Sequence, residues 1–158
     1  MSSEDPYIIL YDTMVYIHGS HHQYLLLMQE QCQRARTHTD LRHLGSDMHA
    51  FCQALHTHNT VEDKHLFPSV TRKTNISHLE AQHMQLEELL IDFGHCATRL
   101  KHVKNSEDDM HSAIIDANSW ISKMLLLVNE HERAEEQIIE PENMKKLFTK
   151  DEMKLIAL

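Results

Sequence analysis

The sequence predicts an all-α protein, folded as an up-down-up-down antiparallel four-helix bundle with a short C-terminal helix. The first observation is that apolar residues recur with helical periodicity over four long stretches of the chain. The second is that only 3 Gly and 3 Pro are present, too few for the many turns of an all-β fold. Long helices with short connections pack best as antiparallel neighbours, which favours the bundle.

The first two predicted helices have recognisable starts. The first spans about residues 6–36, because Pro6 suits a first helical position and the acidic Glu4 and Asp5 before it are favourable near the positive helix end. The second spans about residues 41–72 and follows Asp40, which we interpret as its N-cap. Pro68 lies inside this helix and should kink it, or end its regular part about a turn early.

The remaining helices are also marked by capping patterns. The third, about residues 77–103, opens with the capping-box pattern Ser77–Glu80. The fourth begins in the acidic run 107–109 and is closed by Pro141. A final short helix is expected after a second capping box, Thr149–Glu152.

Length and composition indicate a single domain over residues 1–158, with the bundle at about 7–141 and a C-terminal extension at about 142–158. The formal charge of −9 disfavours a nucleic-acid partner. No apolar run approaches the length of a membrane span, and the N-terminus does not resemble a secretory signal. We therefore expect a cytoplasmic protein with no membrane partner, whose three separated cysteines are small buried hydrophobes in a reducing compartment.

The candidate site begins with a repeated spacing: a histidine precedes a glutamate by four residues at His58 and Glu62, and again at His131 and Glu135. Residues four apart lie on the same helix face. Both pairs are on an apolar stripe that carries no Lys or Arg. Because a buried carboxylate is costly without a positive partner, the spacing predicts a metal ion as that partner.

Histidines on the other two predicted helices complete the set. His83 lies on the third helix, and His18 is the preferred residue on the first; His21 and His22 are alternatives that a helical wheel alone does not separate. When the four helices are placed alternately up and down, the candidate ligands of all four lie at the same end of the bundle. The predicted metal ligands are His18, His58, Glu62, His83, His131 and Glu135. Imidazole and carboxylate donors suit non-haem iron, manganese or zinc, and this many donors fit two metal ions bridged by the glutamates.

These segments resemble the hemerythrin-like domain family. Residues 55–68 are similar to the family's second-helix signature of a histidine, three residues, a glutamate, a second acid and then Leu-Phe-Pro. Residues 80–83 look like its third-helix segment, and residues 131–136 look like its fourth-helix signature. Residues 12–18 are similar to the first helix of some eukaryotic members, so the resemblance spans about residues 7–141.

The resemblance implies a non-haem di-iron centre: two Fe ions with a bridging oxo or hydroxo group, held by the six residues above. Family members bind O2 reversibly, sense iron or oxygen, or handle iron and peroxide. We expect this chain to bind O2 or a related small ligand, for oxygen binding or for oxygen or iron sensing. The alternative is a di-iron oxidase, peroxidase or oxygenase that acts on a small substrate or on Fe(II). A protein partner is possible, but none is visible in the sequence.

One position departs from the family pattern. The oxygen carriers have a second histidine four residues before the third-helix ligand, and this chain has Leu79 there. The resemblance therefore implies that one iron lacks an imidazole, and that His21, His22, Glu80 or water fills the position.

Overall fold

The computed structural model describes residues 5–156, and every regular element in that range is helical. The elements are α1 Pro6–Arg34, α2 His38–Val61, a π-helical turn Glu62–Leu66, α3 Phe67–Thr71, α4 Ser77–Lys101, α5 Glu107–Ile139, α6 Pro141–Leu147 and α7 Lys150–Met153. The predicted all-α class is confirmed. Glu4, expected to favour the start of the first helix, lies outside the described residues, as do the last two residues of the C-terminal extension. Between residues 5 and 156, no helix has both the length and the apolar content to cross a membrane.

Three helices begin about where the sequence predicts, and each start is capped by a side chain. Asp5 caps α1, where its side chain accepts a hydrogen bond from the backbone N–H of Tyr7 at 3.2 Å. Ser106 caps α5 through the backbone N–H of Asp109, also at 3.2 Å. The capping box Thr149–Glu152 is present at α7. In each case a short polar side chain satisfies an N–H that has no partner inside its helix.

Two other caps were predicted incorrectly. α2 begins before Asp40, because Thr37 is its N-cap and the Asp40 carboxylate reaches back to the backbone N–H of Thr37 at 2.9 Å. α4 has no side-chain cap. Ser77 already lies inside α4, where its backbone N–H donates to the Asn75 side chain at 3.0 Å, and Glu80 accepts instead from a threonine hydroxyl on α3.

The π-helical turn follows α2 and precedes Pro68. Within it the backbone N–H of Phe67 donates to the carbonyl of Glu62, five residues earlier. Proline has no N–H and would crowd the preceding turn of a regular α-helix, and a π turn is a common way to absorb such a break. The regular part of α2 therefore ends at Val61. This end lies further from Pro68 than the single turn expected from the proline alone.

Two apolar clusters share the interior, and a layer of polar side chains lies between them. On every long helix, polar residues separate a residue of one cluster from a residue of the other. The layer is His18 and His21 between Met14 and Leu25 on α1, His58 and Glu62 between Leu55 and Leu66, His83 between Leu79 and Leu86 on α4, and His131 and Glu135 between Val128 and Ile139 on α5. Successive long helices pass through the two clusters in alternating order, and α1 contacts α2 and α5 while α4 contacts the same two helices.

The C-terminal helices cover one side of the polar layer. The apolar cluster that contains Tyr7, at the start of α1, also contains three C-terminal residues. They are Met144 of α6, Phe148 between α6 and α7, and Met153 of α7. The Tyr7 hydroxyl donates to the backbone carbonyl of Phe148 at 2.7 Å, a buried hydrogen bond. The C-terminal extension is therefore packed onto the helices that carry the polar layer, and the layer has apolar side chains on both sides.

Candidate metal centre

The structure brings all six predicted ligands together. They form two adjoining groups that share one glutamate: His18, His58, Glu62 and Glu135 in the first, and Glu62, His83 and His131 in the second. In each group, one candidate ligand atom per residue lies within 4.8 Å of the others. His58 is half-buried and the other five residues are buried. These are groups of nitrogen and oxygen donors that can hold metal ions.

Glu62 lies between the two groups. Its Oε1 is 2.7 Å from Nε2 of His58, and its Oε2 is 3.1 Å from Nε2 of His83. The side chain is fully buried, yet neither oxygen has a partner with hydrogen-bond geometry among the described residues. The two oxygens of this carboxylate therefore face one imidazole each, from different groups, as those of a carboxylate between two cations would.

Glu135 is the second carboxylate of the cluster and is equally buried. Its Oε2 lies 3.5 Å from Nε2 of His18 and 3.6 Å from Nε2 of His131. Both of its oxygens also lack a hydrogen-bond partner among residues 5–156. Two buried carboxylates with unpaired oxygens would destabilise a fold that offered them no positive charge.

The outer ring nitrogen of three histidines is held by an oxygen atom. Nδ1 of His18 contacts Glu136 Oε1 at 2.9 Å, Nδ1 of His83 contacts Asp63 Oδ1 at 2.8 Å, and Nδ1 of His131 contacts Gln82 Oε1 at 3.1 Å. An oxygen at these positions accepts, so Nδ1 carries the hydrogen of the neutral ring. The Nε2 lone pair of each ring is then directed into the cluster, which is the usual arrangement of a metal-binding histidine.

Burial keeps most of these imidazoles neutral. Burial, reinforced by the neighbouring His58, lowers the pKa of His18 to about 3, and burial together with His83 lowers the pKa of His131 to about 3. Burial also acts against a charge on His83, but its contacts with Glu62 and Asp63 outweigh burial and raise the pKa of His83. Neutral rings present the lone pairs that a metal ion requires.

The pKa values of the two buried glutamates are shifted in opposite directions. Burial raises the pKa of Glu62, but the contacts with His58 and His83 outweigh burial, so the pKa lies well below its usual range. Burial and the nearby Glu62 charge raise the pKa of Glu135 well above its usual value. The pair resists holding two negative charges at short range. Cations beside both carboxylates would remove that resistance, so the residues present fit a pair of metal ions.

The residues left open as alternatives on the first helix and at Leu79 belong to neither group of described residues. His21 is buried beside His58, with ring centroids 5.0 Å apart, but its Nδ1 contacts Glu132 at 2.6 Å and it belongs to neither group. His22 contacts an asparagine on α5 instead. Leu79 lies in an apolar cluster, and the exposed Glu80 is hydrogen-bonded to Thr71.

Several residues that surround the cluster were missed from the sequence. They are the oxygen donors and acceptors that contact the histidines: Asp63, Gln82, Glu132 and Glu136. The sequence signal for two of them, Asp63 and Glu136, was that each directly follows one of the two predicted glutamate ligands. Burial raises the pKa of Glu132 to about 9, with contributions from Glu62 and Glu136, so this side chain holds its proton beside His21 at neutral pH.

No family model, curated protein or solved structure matches this chain. The fold and the site by themselves define an all-α protein with two adjoining His/Glu groups that can hold metal ions. A more specific function has to be argued from the geometry of the cluster.

Proposed function

We propose that this chain is a hemerythrin-like, non-haem di-iron protein that binds O2 or a related small ligand. In this proposal α1, α2, α4 and α5 form an antiparallel four-helix bundle, with α6 and α7 packed at one end. The alternating order in which these helices pass through the two apolar clusters supports the bundle. The absence of sulfur from both candidate groups supports iron, which accepts mixed imidazole and carboxylate donors.

One observation carries the proposal: the shared carboxylate of Glu62, with each oxygen directed at an imidazole of a different group. A single metal ion would not need a carboxylate in this position, whereas two cations at short range are stabilised by an anion between them. His18 and His58 would hold one iron, and His83 and His131 the other. Glu62, and Glu135 from the opposite helix, would serve both ions.

The surroundings favour binding of a small apolar molecule. The ring of Phe67 stacks on His83 with centroids 4.6 Å apart, and Phe51 lies edge-on to His21 at 6.0 Å. Together with the two apolar clusters, these rings keep bulk water from the polar layer. When bound, the reduced iron pair supplies the electrons that O2 takes up. Exclusion of bulk water by the chain favours release of the ligand over irreversible oxidation.

The compartment and the partners belong to the same proposal. The three cysteines are free thiols, two of them buried, which supports a cytoplasmic, reducing location. The formal charge of −9 argues against nucleic acid as a partner. The partner proposed is therefore a small ligand.

The test combines metal analysis with visible absorption spectra of the anaerobically reduced protein before and after exposure to air. The proposal predicts about two iron equivalents per chain and a visible band that appears with air and is lost when O2 is removed. His58→Ala should lose the iron and the band. His56→Ala is the matched control, because this histidine is exposed on α2, belongs to neither group and contacts Glu87.

Other outcomes would redirect or overturn the proposal. Irreversible bleaching with consumption of a substrate would replace O2 binding with the di-iron enzyme alternative. Zinc without iron after expression in iron-rich medium would overturn the iron assignment. Equal metal content in His58→Ala and His56→Ala would overturn the site.

A further inference from the structure

Each bridging glutamate is followed by a second acid. Glu62 is followed by Asp63 in the π-helical turn, and Glu135 is followed by Glu136 on α5. Neighbouring helical residues point about 100° apart, so the second acid cannot face the same ions as the first. Both second acids are partly exposed, with side-chain relative exposures of 52% for Asp63 and 27% for Glu136.

The two second acids make the same contact. Asp63 Oδ1 accepts from Nδ1 of His83 at 2.8 Å, and Glu136 Oε1 accepts from Nδ1 of His18 at 2.9 Å. In both cases the histidine is on another helix, α4 for His83 and α1 for His18, and in both cases its ring is buried. In both copies of the spacing, the glutamate lies in the cluster and the acid after it contacts a histidine of another helix. The two carboxylates of each copy therefore have different tasks.

We propose, on the basis of the proposed metal pair, that Asp63 and Glu136 are positioning residues. Each holds the imidazole of a neighbouring helix with Nε2 directed at the metal pair. A carboxylate on Nδ1 fixes the tautomer, limits rotation of the ring and makes Nε2 a stronger donor. Because His18 and His83 belong to different groups, each metal ion receives one imidazole supported by a carboxylate.

The other two imidazoles show that this support is selective. Nδ1 of His131 is held by the neutral side chain of Gln82, and the short contact of His58 is made by Nε2 to Glu62. An incidental surface ion pair contributes little, but these two acids contact rings that are almost fully buried. The two contacts also connect α4 to the π-helical turn and α1 to α5, so the same acids link the helices that carry the ligands.

The first experiment measures metal affinity by competition with a chelator, using Co(II) or Fe(II) as the probe. Asp63→Ala and Glu136→Ala should each bind metal about 10- to 100-fold more weakly, because loss of such a partner typically has this effect. Asp63→Asn and Glu136→Gln should lose less, since an amide oxygen still accepts from Nδ1. The Co(II) spectrum should change in each alanine variant, because the orientation of one ligand ring is released.

The controls are exposed acids that form no hydrogen bond or ion pair with a histidine among residues 5–156. Asp92→Asn on α4 and Glu130→Gln on α5 remove the same unit of charge and should bind metal as the unaltered chain does. Alanine variants with affinities within about twofold of the unaltered chain would overturn the proposal. A similar loss in the two controls would assign the effect to net charge and would also overturn it.

The second experiment does not depend on metal. Long-range nitrogen–proton NMR of the metal-free protein, in mildly alkaline buffer, reports which ring nitrogen carries the hydrogen. His83 and His18 should both be Nδ1–H tautomers; Asp63→Ala should shift His83 alone, and Glu136→Ala should shift His18 alone. If the unaltered chain holds no metal pair, the proposed function fails, and the tautomers still decide the positioning role. Unchanged tautomers in both alanine variants would overturn that role.

Discussion

Nε2 of His83 and Nε2 of His131 face each other across 2.9 Å in the polar layer. Each ring already donates through Nδ1, to Asp63 or to Gln82. Two neutral rings of this tautomer would direct two lone pairs at each other, which is repulsive. A shared proton or a cation beside both nitrogens would relieve the repulsion.

The shared glutamate provides the first prediction. Glu62→Ala removes the only carboxylate that belongs to both candidate groups, so metal content should fall from about two equivalents per chain to one or fewer. The measurement is metal analysis of the purified protein after equilibration with Fe(II). Glu130→Ala is the control, because this exposed glutamate of α5 belongs to neither group. Full metal content in Glu62→Ala would remove the bridging role.

The second prediction is that Glu135→Met stabilises the metal-free protein but weakens metal binding. Glu135 is fully buried and both of its oxygens lack hydrogen-bond partners among the described residues. Glu135→Met keeps a similar length and removes the isolated carboxyl group. The metal-free variant should therefore be more stable by about 1–3 kcal/mol, while its metal affinity falls.

Thermal unfolding with chelator and with added Fe(II) measures both effects. The unaltered chain should gain stability on adding metal, by about 2.7 kcal/mol when free metal is at 100 times its dissociation constant. Glu135→Met should gain much less. A metal-free variant that unfolds at a lower temperature than the unaltered chain would contradict the idea that this carboxyl group is retained for binding and not for folding.

The third prediction tests the close approach of α2 and α4. A Cβ added at Gly45 would lie 2.6 Å from the backbone carbonyl oxygen of Ala97 and 3.2 Å from Cβ of Leu100. The carbonyl oxygen is part of the α4 backbone and Cβ of Leu100 is attached directly to it, so neither atom can move away cheaply. Gly45→Ala should therefore destabilise the fold by about 1–3 kcal/mol. Chemical denaturation with circular dichroism gives the free energy of unfolding.

Gly19→Ala is the matched control. This glycine is exposed in α1, and a Cβ there would meet nothing within 4 Å. Alanine in the middle of a helix is favoured over glycine by about 0.5–1 kcal/mol, so this variant should be more stable than the unaltered chain. Opposite signs are expected for the same chemical change, and equal effects would show that α2 and α4 are not in close contact at Gly45.

The ligand pairs on two helices were predictable because their spacing alone determines their geometry. Residues four apart share a helix face, so His58 with Glu62 and His131 with Glu135 were bound to be neighbours wherever the helices packed. A helical wheel alone did not determine which of the first-helix histidines faces the cluster. In the structure, Nδ1 of His18 contacts Glu136 and His18 belongs to one of the two groups, whereas Nδ1 of His21 contacts Glu132 and His21 belongs to neither.

Other features depend on packing that no local pattern encodes. The π-helical turn could be anticipated only as a disturbance near Pro68, because the preference for a wide turn over a kink depends on what the following residues bury. The capping box expected at Ser77 failed because Asn75 supplies the local partner from outside the helix. α6 was not expected: Pro141 ends the regular part of α5 and also begins a new helix, a role that proline fills at a first helical position.

The fourth prediction concerns pH and the start of α2. Hydrogen bonds from the backbone N–H groups of Arg36 and Thr37, and from the Thr37 side chain, hold the pKa of Asp40 below its usual value. A depressed carboxyl pKa adds stability above the unfolded-state pKa of about 3.9, and this stability is lost as pH falls through the folded-state pKa. Asp40→Asn should therefore lower the free energy of unfolding near pH 7 but not in strong acid, where both side chains are neutral. Urea denaturation across this pH range measures the difference, with Asp92→Asn, an exposed acid on α4, as the control. A deficit of Asp40→Asn that stays constant down to strong acid would show that the carboxylate charge does not stabilise this helix start.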